Sequence, residues 1–353
     1  MRPNDDSGKL PVEQRPFRVL LISGSDRRQY NCPGVDSKSR SLMLRMAQRL
    51  PQDWEIDYED LGNVYGRESI RSCNACVSTS MALCVWPCNC YEKSSTIEPD
   101  LMWNMDMYAR LDLADAWAII GPVNWYGPSS NLKAMFDRLV CMNGGNPRED
   151  LIAHKDPEKA MALEHTSEWE ELSLNHLEGR TAAFFCYGDG GGDEIDNSGR
   201  PRVLQHKHYF DPVAEPFERM RDSYAPLVWQ CRYGGVEVPD QLWAYREFGL
   251  GKKYSENQAE QMIEDKDTIG IRPLGRRFRG VCSRQRQGGS RQIPRLRASA
   301  TGTLAQGRPV IVERRPDASG RAIARVFARP PAGVGPQPRR NLVPARERRK
   351  QTP

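Results

Sequence analysis

Five of the ten cysteines lie close together, at the spacing C-x2-C-x7-C-x3-C-x-C: Cys73, Cys76, Cys84, Cys88 and Cys90. Thiolates spaced in this way can hold an iron–sulfur cluster or zinc, and they can also form a redox disulfide. Free thiols without a metal are the fourth interpretation. The sequence leaves these alternatives open. Our expectation is the interpretation without metal, because four ligands must converge and the long step from Cys76 to Cys84 needs a turn to bring them together.

Hydroxyl and basic side chains follow the first predicted strand, residues 17–22. Ser25 and Arg27 lie in the turn after it, and Ser37 and Ser39 lead into a predicted helix. Backbone N–H groups at a helix start, together with hydroxyls and an arginine, can bind a phosphate. Neither a P-loop nor a G-x-G-x-x-G fingerprint is present. We therefore predict a phosphate site at these four residues, against the plainer interpretation of helix capping.

A second loop follows the apolar run 116–120, which stops at Gly121 and Pro122. Val123, Asn124 and Trp125 come next, and then a helix that we expect Ser129 or Ser130 to cap. Ligands of open parallel α/β sheets lie beyond the carboxyl ends of the strands. The loop 122–125 therefore predicts a contact with a flat ring, although an ordinary strand–helix connection is the plainer interpretation.

A third loop contains Gly188, Asp189 and Gly190 and follows the predicted buried strand 181–187. Glycine lets the backbone approach a planar ligand closely. We therefore expect these residues to contact the same ring. Further predicted elements are an edge strand at 54–58 and a fifth strand at 227–231.

The first two loops resemble the flavodoxin-like NAD(P)H-dependent FMN reductases, a family with quinone-reductase and iron–sulfur flavoprotein branches. The segment Ile22-Ser-Gly-Ser-Asp-Arg27 is similar to the family's phosphate loop, and Gly121-Pro-Val-Asn-Trp125 is similar to its flavin loop. The helix Asn131-Leu-Lys-Ala-Met-Phe-Asp-Arg138 resembles the family's Leu-Lys-x-Phe-x-Asp-Arg helix. Two departures are Asn124, in place of an aromatic residue, and an insertion at 29–36.

The resemblance implies an α/β fold: a flavodoxin-like doubly wound five-stranded parallel sheet with helices on both faces. It further implies FMN as cofactor, NAD(P)H as co-substrate, and a flavin, quinone or similar small molecule as acceptor. Such an enzyme needs no catalytic side chain, because the flavin takes the hydride. A homodimer or homotetramer is the assembly that the resemblance implies.

The iron–sulfur branch of this family has a compact cysteine motif in the same region as Cys73–Cys90. Thr79 stands where that branch has a third closely spaced cysteine. An iron–sulfur flavoprotein is therefore the alternative enzyme. A flavodoxin-like binding protein without turnover is the alternative from another class.

Charged residues are distributed unevenly along the chain. Residues 275–353 hold 20 Lys and Arg but 3 Asp and Glu, whereas the whole chain has a net charge of +5. This segment has little apolar area to offset the entropy cost of folding, so we predict a disordered tail. Nucleic-acid binding by the tail is not favoured over an extension without function.

We divide the chain into a flexible N-terminus (1–16), an FMN-binding domain (17–274) with a helical insertion near 147–178, and the tail (275–353). The insertion carries an Asp156-Pro157 helix-start signal. No run of eighteen apolar residues and no signal-peptide pattern occurs. We therefore expect a cytoplasmic protein that does not enter a membrane.

Overall fold

The computed structural model describes residues 16–27, 37–62, 69–88, 90–92, 95–97, 99–142, 156–169, 175, 177–188, 223–247, 268–287, 311–316 and 322–327. They belong to two units, Met1–Gly307 and Arg308–Pro353. The predicted flexible residues 1–15, the insertion at 29–36, Asp189, Gly190 and most of the predicted tail lie outside the described residues.

A five-stranded parallel sheet organises the first unit, in the order β2-β1-β3-β4-β5. Its strands are β1 (Arg18–Ser23), β2 (Glu55–Asp60), β3 (Ala116–Pro122), β4 (Thr181–Gly188) and β5 (Trp243–Glu247). The apolar strands β1, β3 and β4 are almost wholly buried, whereas the acidic edge strand β2 is half-buried. This order is the flavodoxin-like one, in which the winding direction reverses between β1 and β3. The predicted fold is confirmed.

Helices pack on both faces of the sheet. They include α1 (Lys38–Ala47), α2 (Leu101–Asn104), α3 (Met107–Leu113), α4 (Ser130–Arg138), α5 (Pro157–Leu163), α6 (Ala225–Tyr233) and α7 (Thr268–Gln287). One core contains side chains of α3, α4 and α6, such as Leu132 and Leu227. The other contains side chains of α1 and α7, such as Met43 and Phe278. The predicted helix start at Asp156 is confirmed, because its carboxylate accepts a bond from the Lys159 N–H at 3.2 Å.

The predicted fifth strand at 227–231 is wrong: these residues lie in α6, and the fifth strand is Trp243–Glu247. A five-residue apolar run does not distinguish a strand from a buried helix. The exposure pattern is helical, because Leu227, Val228 and Cys231 are buried while Trp229 and Tyr233 are exposed. Pro226 in the first turn and Gly234 at the end fit a helix.

The predicted boundary at residue 274 falls inside α7, so residues 275–287 are helical and not part of a disordered tail. They place Phe278 and Cys282 in the core beside α1. The charge count of the segment conceals this short apolar stripe. In the second unit, β6 (Ile311–Pro316) and β7 (Ala322–Phe327) pair antiparallel. Among the described helices, none is long and apolar enough to cross a membrane.

Candidate functional site

Loops after β1, β3 and β4 meet at the carboxyl-terminal edge of the sheet. We refer to residues 23–27, 37–39, 121–129 and 187–188 as the loop edge. The Gly24 N–H donates to the Ile120 carbonyl at 2.7 Å, and the Val123 N–H donates to the Tyr187 carbonyl at 2.7 Å. These two bonds continue the sheet outward and fix the three loops against one another.

The residues of the predicted phosphate site lie at the start of α1 and in the loop after β1. The buried Ser39 hydroxyl lies 2.9 Å from the Tyr187 hydroxyl, so α1 is joined to the end of β4. Burial raises the pKa of Tyr187 to about 12, against the opposing effects of the Ser39 bond and the Arg27 charge. Tyr187 is therefore neutral at pH 7. Ser25 is buried in the same loop and accepts a bond from the Arg27 N–H at 3.2 Å.

Two helices begin at the loop edge, and their first turns differ in what they bind. The α4 start is already filled: Asp26 accepts bonds from the Ser130 and Asn131 N–H groups at 3.0 and 3.2 Å, and Ser129 accepts one from Leu132. At α1, the N-cap Ser37 makes no capping bond with its side chain, and the first turn holds no acidic residue. The α1 start is therefore the one suited to an external anion.

The loop predicted to contact a ring forms a tight turn at residues 124–127. The Asn124 N–H donates to the Gly127 carbonyl at 2.8 Å, and the Gly127 N–H donates back at 3.1 Å. The two central residues have positive φ, 47° at Trp125 and 64° at Tyr126. Left-handed backbone is costly for side chains of this size and is concentrated at functional sites. The turn holds the Trp125 side chain 96% exposed to solvent.

Two glycines are needed for close approach at the loop edge. A Cβ on Gly62 would lie 2.5 Å from the Ser25 carbonyl oxygen and 2.6 Å from that of Arg27. A Cβ on Gly121 would lie 2.4 Å from the Tyr224 hydroxyl, which donates to the Pro122 carbonyl at 2.8 Å. At Gly62 and Gly121, the absence of a side chain therefore lets other parts of the chain pack closely against the loops.

The structure brings together the described members of the predicted site: Ser25, Arg27, Ser37, Ser39, Pro122, Val123, Asn124, Trp125 and Gly188. Ser129 is the cap of α4, as predicted. Sequence reasoning missed Asp26, Tyr187 and Gly62. Asp26 could have been predicted as a helix cap, because its carboxylate lies in a loop that otherwise carries hydroxyl and arginine side chains. Nothing in the sequence indicates that the Tyr187 hydroxyl contacts the Ser39 hydroxyl.

The clustered cysteines lie on the face of the sheet that carries α4 and α6. Two short 3-10 turns, Cys76–Ser78 and Met81–Leu83, fold the segment back on itself. The Sγ atoms of Cys76 and Cys90 lie 3.3 Å apart. Within the described ranges, no group of three or more His, Cys, Asp or Glu residues is arranged to hold a metal ion.

Part of the sequence is similar to a known protein family. The model of the NADPH-dependent FMN reductase family matches residues 17–156. No curated protein matches the chain.

Several solved structures are similar at low identity. One is an NAD(P)H:quinone oxidoreductase from Methanothermobacter marburgensis, at 13% identity and a TM-score of 0.41, with 74% of this chain and 96% of that chain covered. A putative quinone reductase from Klebsiella pneumoniae has 14% identity and a TM-score of 0.38, covering 75% and 85%. An FMN-dependent NADH-azoreductase from Bacillus anthracis has 12% identity and a TM-score of 0.33, covering 76% and 98%.

The matched segment contains the first three strands, the start of α1 and the turn at Trp125. In these residues, the chain is similar to the NADPH-dependent FMN reductase family.

Proposed function

We propose that this protein is an FMN-dependent NAD(P)H oxidoreductase that reduces a small-molecule acceptor such as a flavin or a quinone. The observation that carries the proposal is the α1 start, whose first turn holds no acidic residue, at the point where the sheet reverses its winding. In flavodoxin-like folds that point is where FMN binds. The family match and the names of the similar quinone reductases and azoreductase support the same activity.

The α1 start fits the phosphate of FMN. Backbone N–H groups of the first turn and the hydroxyls of Ser37 and Ser39 would bind its oxygens, and Arg27 would supply a positive charge. The Asp26 carboxylate would keep the phosphate away from α4, because it already fills that helix start and repels an anion. Tyr187, neutral and bonded to Ser39, would hold the hydroxyl in place.

The turn at 124–127 and the adjoining Gly188 fit the ring. Pro122 and Val123 lie beside the end of β4, and Trp125 is presented on a turn that two hydrogen bonds hold. When bound, FMN supplies a ring that accepts a hydride from NAD(P)H and passes the electrons on. The chain would contribute position, through the hydrogen-bonded backbone of the turn and the exposed indole of Trp125. Asp189 and Gly190 remain proposed ring contacts.

The phosphate assignment is tested by comparing FMN with riboflavin, which lacks the phosphate. Arg27→Ala and Ser39→Ala should each weaken FMN binding by about 1–3 kcal/mol. Riboflavin affinity should stay nearly unchanged. Isothermal titration or fluorescence quenching of each apoprotein measures both constants.

Arg45→Ala is the matched control, because it removes a charge from the last turn of the same helix. It should change neither constant. Equal weakening of both flavins in Arg27→Ala would show that the loop does not hold the phosphate.

The acceptor is tested by turnover. The FMN-loaded protein should oxidise NADPH or NADH, followed at 340 nm, in the presence of a benzoquinone, free FMN or free riboflavin as separate acceptors. Stoichiometric FMN binding without NAD(P)H oxidation by any of these acceptors would instead favour a flavodoxin-like binding protein.

A further inference from the structure

The cysteine segment is closed into a loop by contacts that place two thiols face to face. The Tyr91 hydroxyl donates to the Ser72 carbonyl at 2.7 Å and so joins the two ends of the segment. Inside this closure, the Cys76 and Cys90 sulfurs lie 3.3 Å apart, and both residues are partly exposed. Sulfurs at this separation need to approach by only about 1.3 Å to reach a disulfide bond length.

A buried cation acts on Cys88, two residues before Cys90. Arg138, the last residue of α4, is fully buried and pairs with Asp100 at 2.8 Å. Its guanidinium also lies 4.7 Å from the centre of the Tyr91 ring. A bond from Cys90, opposed by burial and helped by the Arg138 charge, lowers the pKa of Cys88 to about 5. The same bond, with burial, raises the pKa of Cys90. Of these two thiols, Cys88 is therefore the one that loses its proton first.

We propose that Cys76 and Cys90 are a redox-active dithiol, which a small organic disulfide oxidises to an intramolecular disulfide. The proposal does not depend on FMN. It assigns to this segment a thiol–disulfide site instead of a metal centre.

The exchange balances in two steps. In the first, the Cys76 thiol loses its proton to solvent and its thiolate attacks one sulfur of the external disulfide RSSR, which forms a mixed disulfide and releases RS⁻. In the second, the Cys90 thiol loses its proton to solvent and its sulfur attacks the Cys76 sulfur, the Cys76–Cys90 bond forms, and the second RS⁻ leaves. The two protons lost from the protein end on the two RSH products, so the dithiol is oxidised by two electrons and RSSR is reduced by two.

A groove of about 520 Å³ lies beside this segment and offers an approach for a small molecule. Its lining includes Cys73, Ala75 and Val77, and the exposed aromatic side chains of Trp229 and Tyr233. Cys76 lies between Ala75 and Val77 in the chain, and both Cys76 and Cys90 are partly exposed, whereas Cys84 and Cys88 are buried.

The test maps the disulfide in the full-length protein. Protein purified without oxygen is equilibrated with glutathione disulfide, and the remaining thiols are blocked with N-ethylmaleimide. Cyanogen bromide cleaves after Met46, Met81 and Met102, so Cys73 and Cys76 fall on fragment 47–81 and the other three cysteines on fragment 82–102. The oxidised protein should yield the two fragments joined, and fragmentation in the mass spectrometer should locate the bond at Cys76 and Cys90.

Variants separate the roles. Cys76→Ser and Cys90→Ser should abolish the joined fragments, whereas Cys73→Ser, the matched control in the same segment, should keep them. Cys88→Ser should also keep them, because Cys88 is not a member of the proposed disulfide. The wild-type map needs no variant, so the proposal stays testable if a substitution prevents folding.

Three results would overturn the proposal. The first is no joined fragment at any ratio of glutathione disulfide to glutathione. The second is a bond through Cys73 instead of Cys76. The third is stoichiometric iron or zinc in the reduced protein that is lost in Cys76→Ser, which would make these thiols metal ligands.

Discussion

The loop edge and the cysteine segment are built by opposite means. At the loop edge, backbone groups, hydroxyls and glycines set the geometry, and Tyr187 is held neutral by burial. In the cysteine segment, side chains set the geometry around a buried ion pair between Arg138 and Asp100. The first region is suited to holding a ligand that brings its own chemistry, whereas the second carries reactive groups of its own.

The helix α4 contacts both regions. It begins at the loop edge, and its last residue, Arg138, lies beside the cysteine segment. Ser129 at the start donates to the Gly24 carbonyl, while Arg138 at the end donates to the Arg71 carbonyl at 3.3 Å. Changes that act on one end of α4 therefore test how far the two regions are independent. The predictions that follow run from the largest expected effect to the smallest.

The largest effect should come from removing residues beyond Leu274. This truncation deletes Phe278 and Cys282 from the core beside α1, the helix that carries the proposed phosphate site. Loss of a buried Phe alone costs about 3–5 kcal/mol. The free energy of unfolding, measured with urea, should fall by at least that much and FMN binding should be lost.

Truncation after Gln287 is the control and should leave stability and FMN binding nearly unchanged, because α7 is kept. Equal stability of the two truncated proteins would show that α7 does not support the loop edge.

Asp100→Asn should have the next largest effect, at the cysteine segment. The substitution keeps an acceptor for the Arg71 and Met102 N–H groups but leaves the buried Arg138 charge unpaired. Removing one partner of a buried ion pair costs about 3–5 kcal/mol. Urea unfolding should show this loss, and much of it should return in Asp100→Asn/Arg138→Met.

Asp137→Asn is the matched control on the same helix, since its partner Lys133 and Asp137 itself are about half exposed. It should cost no more than about 0.5 kcal/mol. A similar cost for both substitutions would mean that burial of the Arg138–Asp100 pair does not matter to stability.

An intermediate effect is expected from Gly121→Ala at the loop edge, because the added Cβ would lie 2.4 Å from the Tyr224 hydroxyl. Overpacking of this kind costs about 1–3 kcal/mol. Tyr224→Phe removes the clashing oxygen, so the double variant should be more stable than the sum of the single effects predicts. Strict additivity in urea unfolding would show that the two residues do not meet.

The sequence predicted the loop edge better than the cysteine segment, for a physical reason. Parallel strands bring their carboxyl ends together, so Ser25, Pro122 and Gly188 had to meet once their strands were recognised. The closeness of Cys76 and Cys90 depends on local turns and on the Tyr91 bond, which no periodicity encodes. The strand predicted at Leu227 failed for a related reason, because a short apolar run satisfies either a strand or a buried helix until its neighbours are known.

The smallest effect on stability should come from Trp125→Gly, which sets stability against function at the loop edge. Trp125 is almost fully exposed, so its removal uncovers no apolar surface, while glycine adopts φ of 47° without strain. The strain relieved is about 1–2 kcal/mol, partly offset by the greater chain entropy of glycine. The free energy of unfolding should therefore rise by up to about 1 kcal/mol. FMN affinity should fall, because the proposed ring site loses its indole. Tyr126→Gly, at φ of 64° in the same turn, is the control that relieves strain but keeps the indole, so it should retain FMN affinity. A loss of stability in Trp125→Gly would mean that the indole packs against the protein and is not available to contact a ligand.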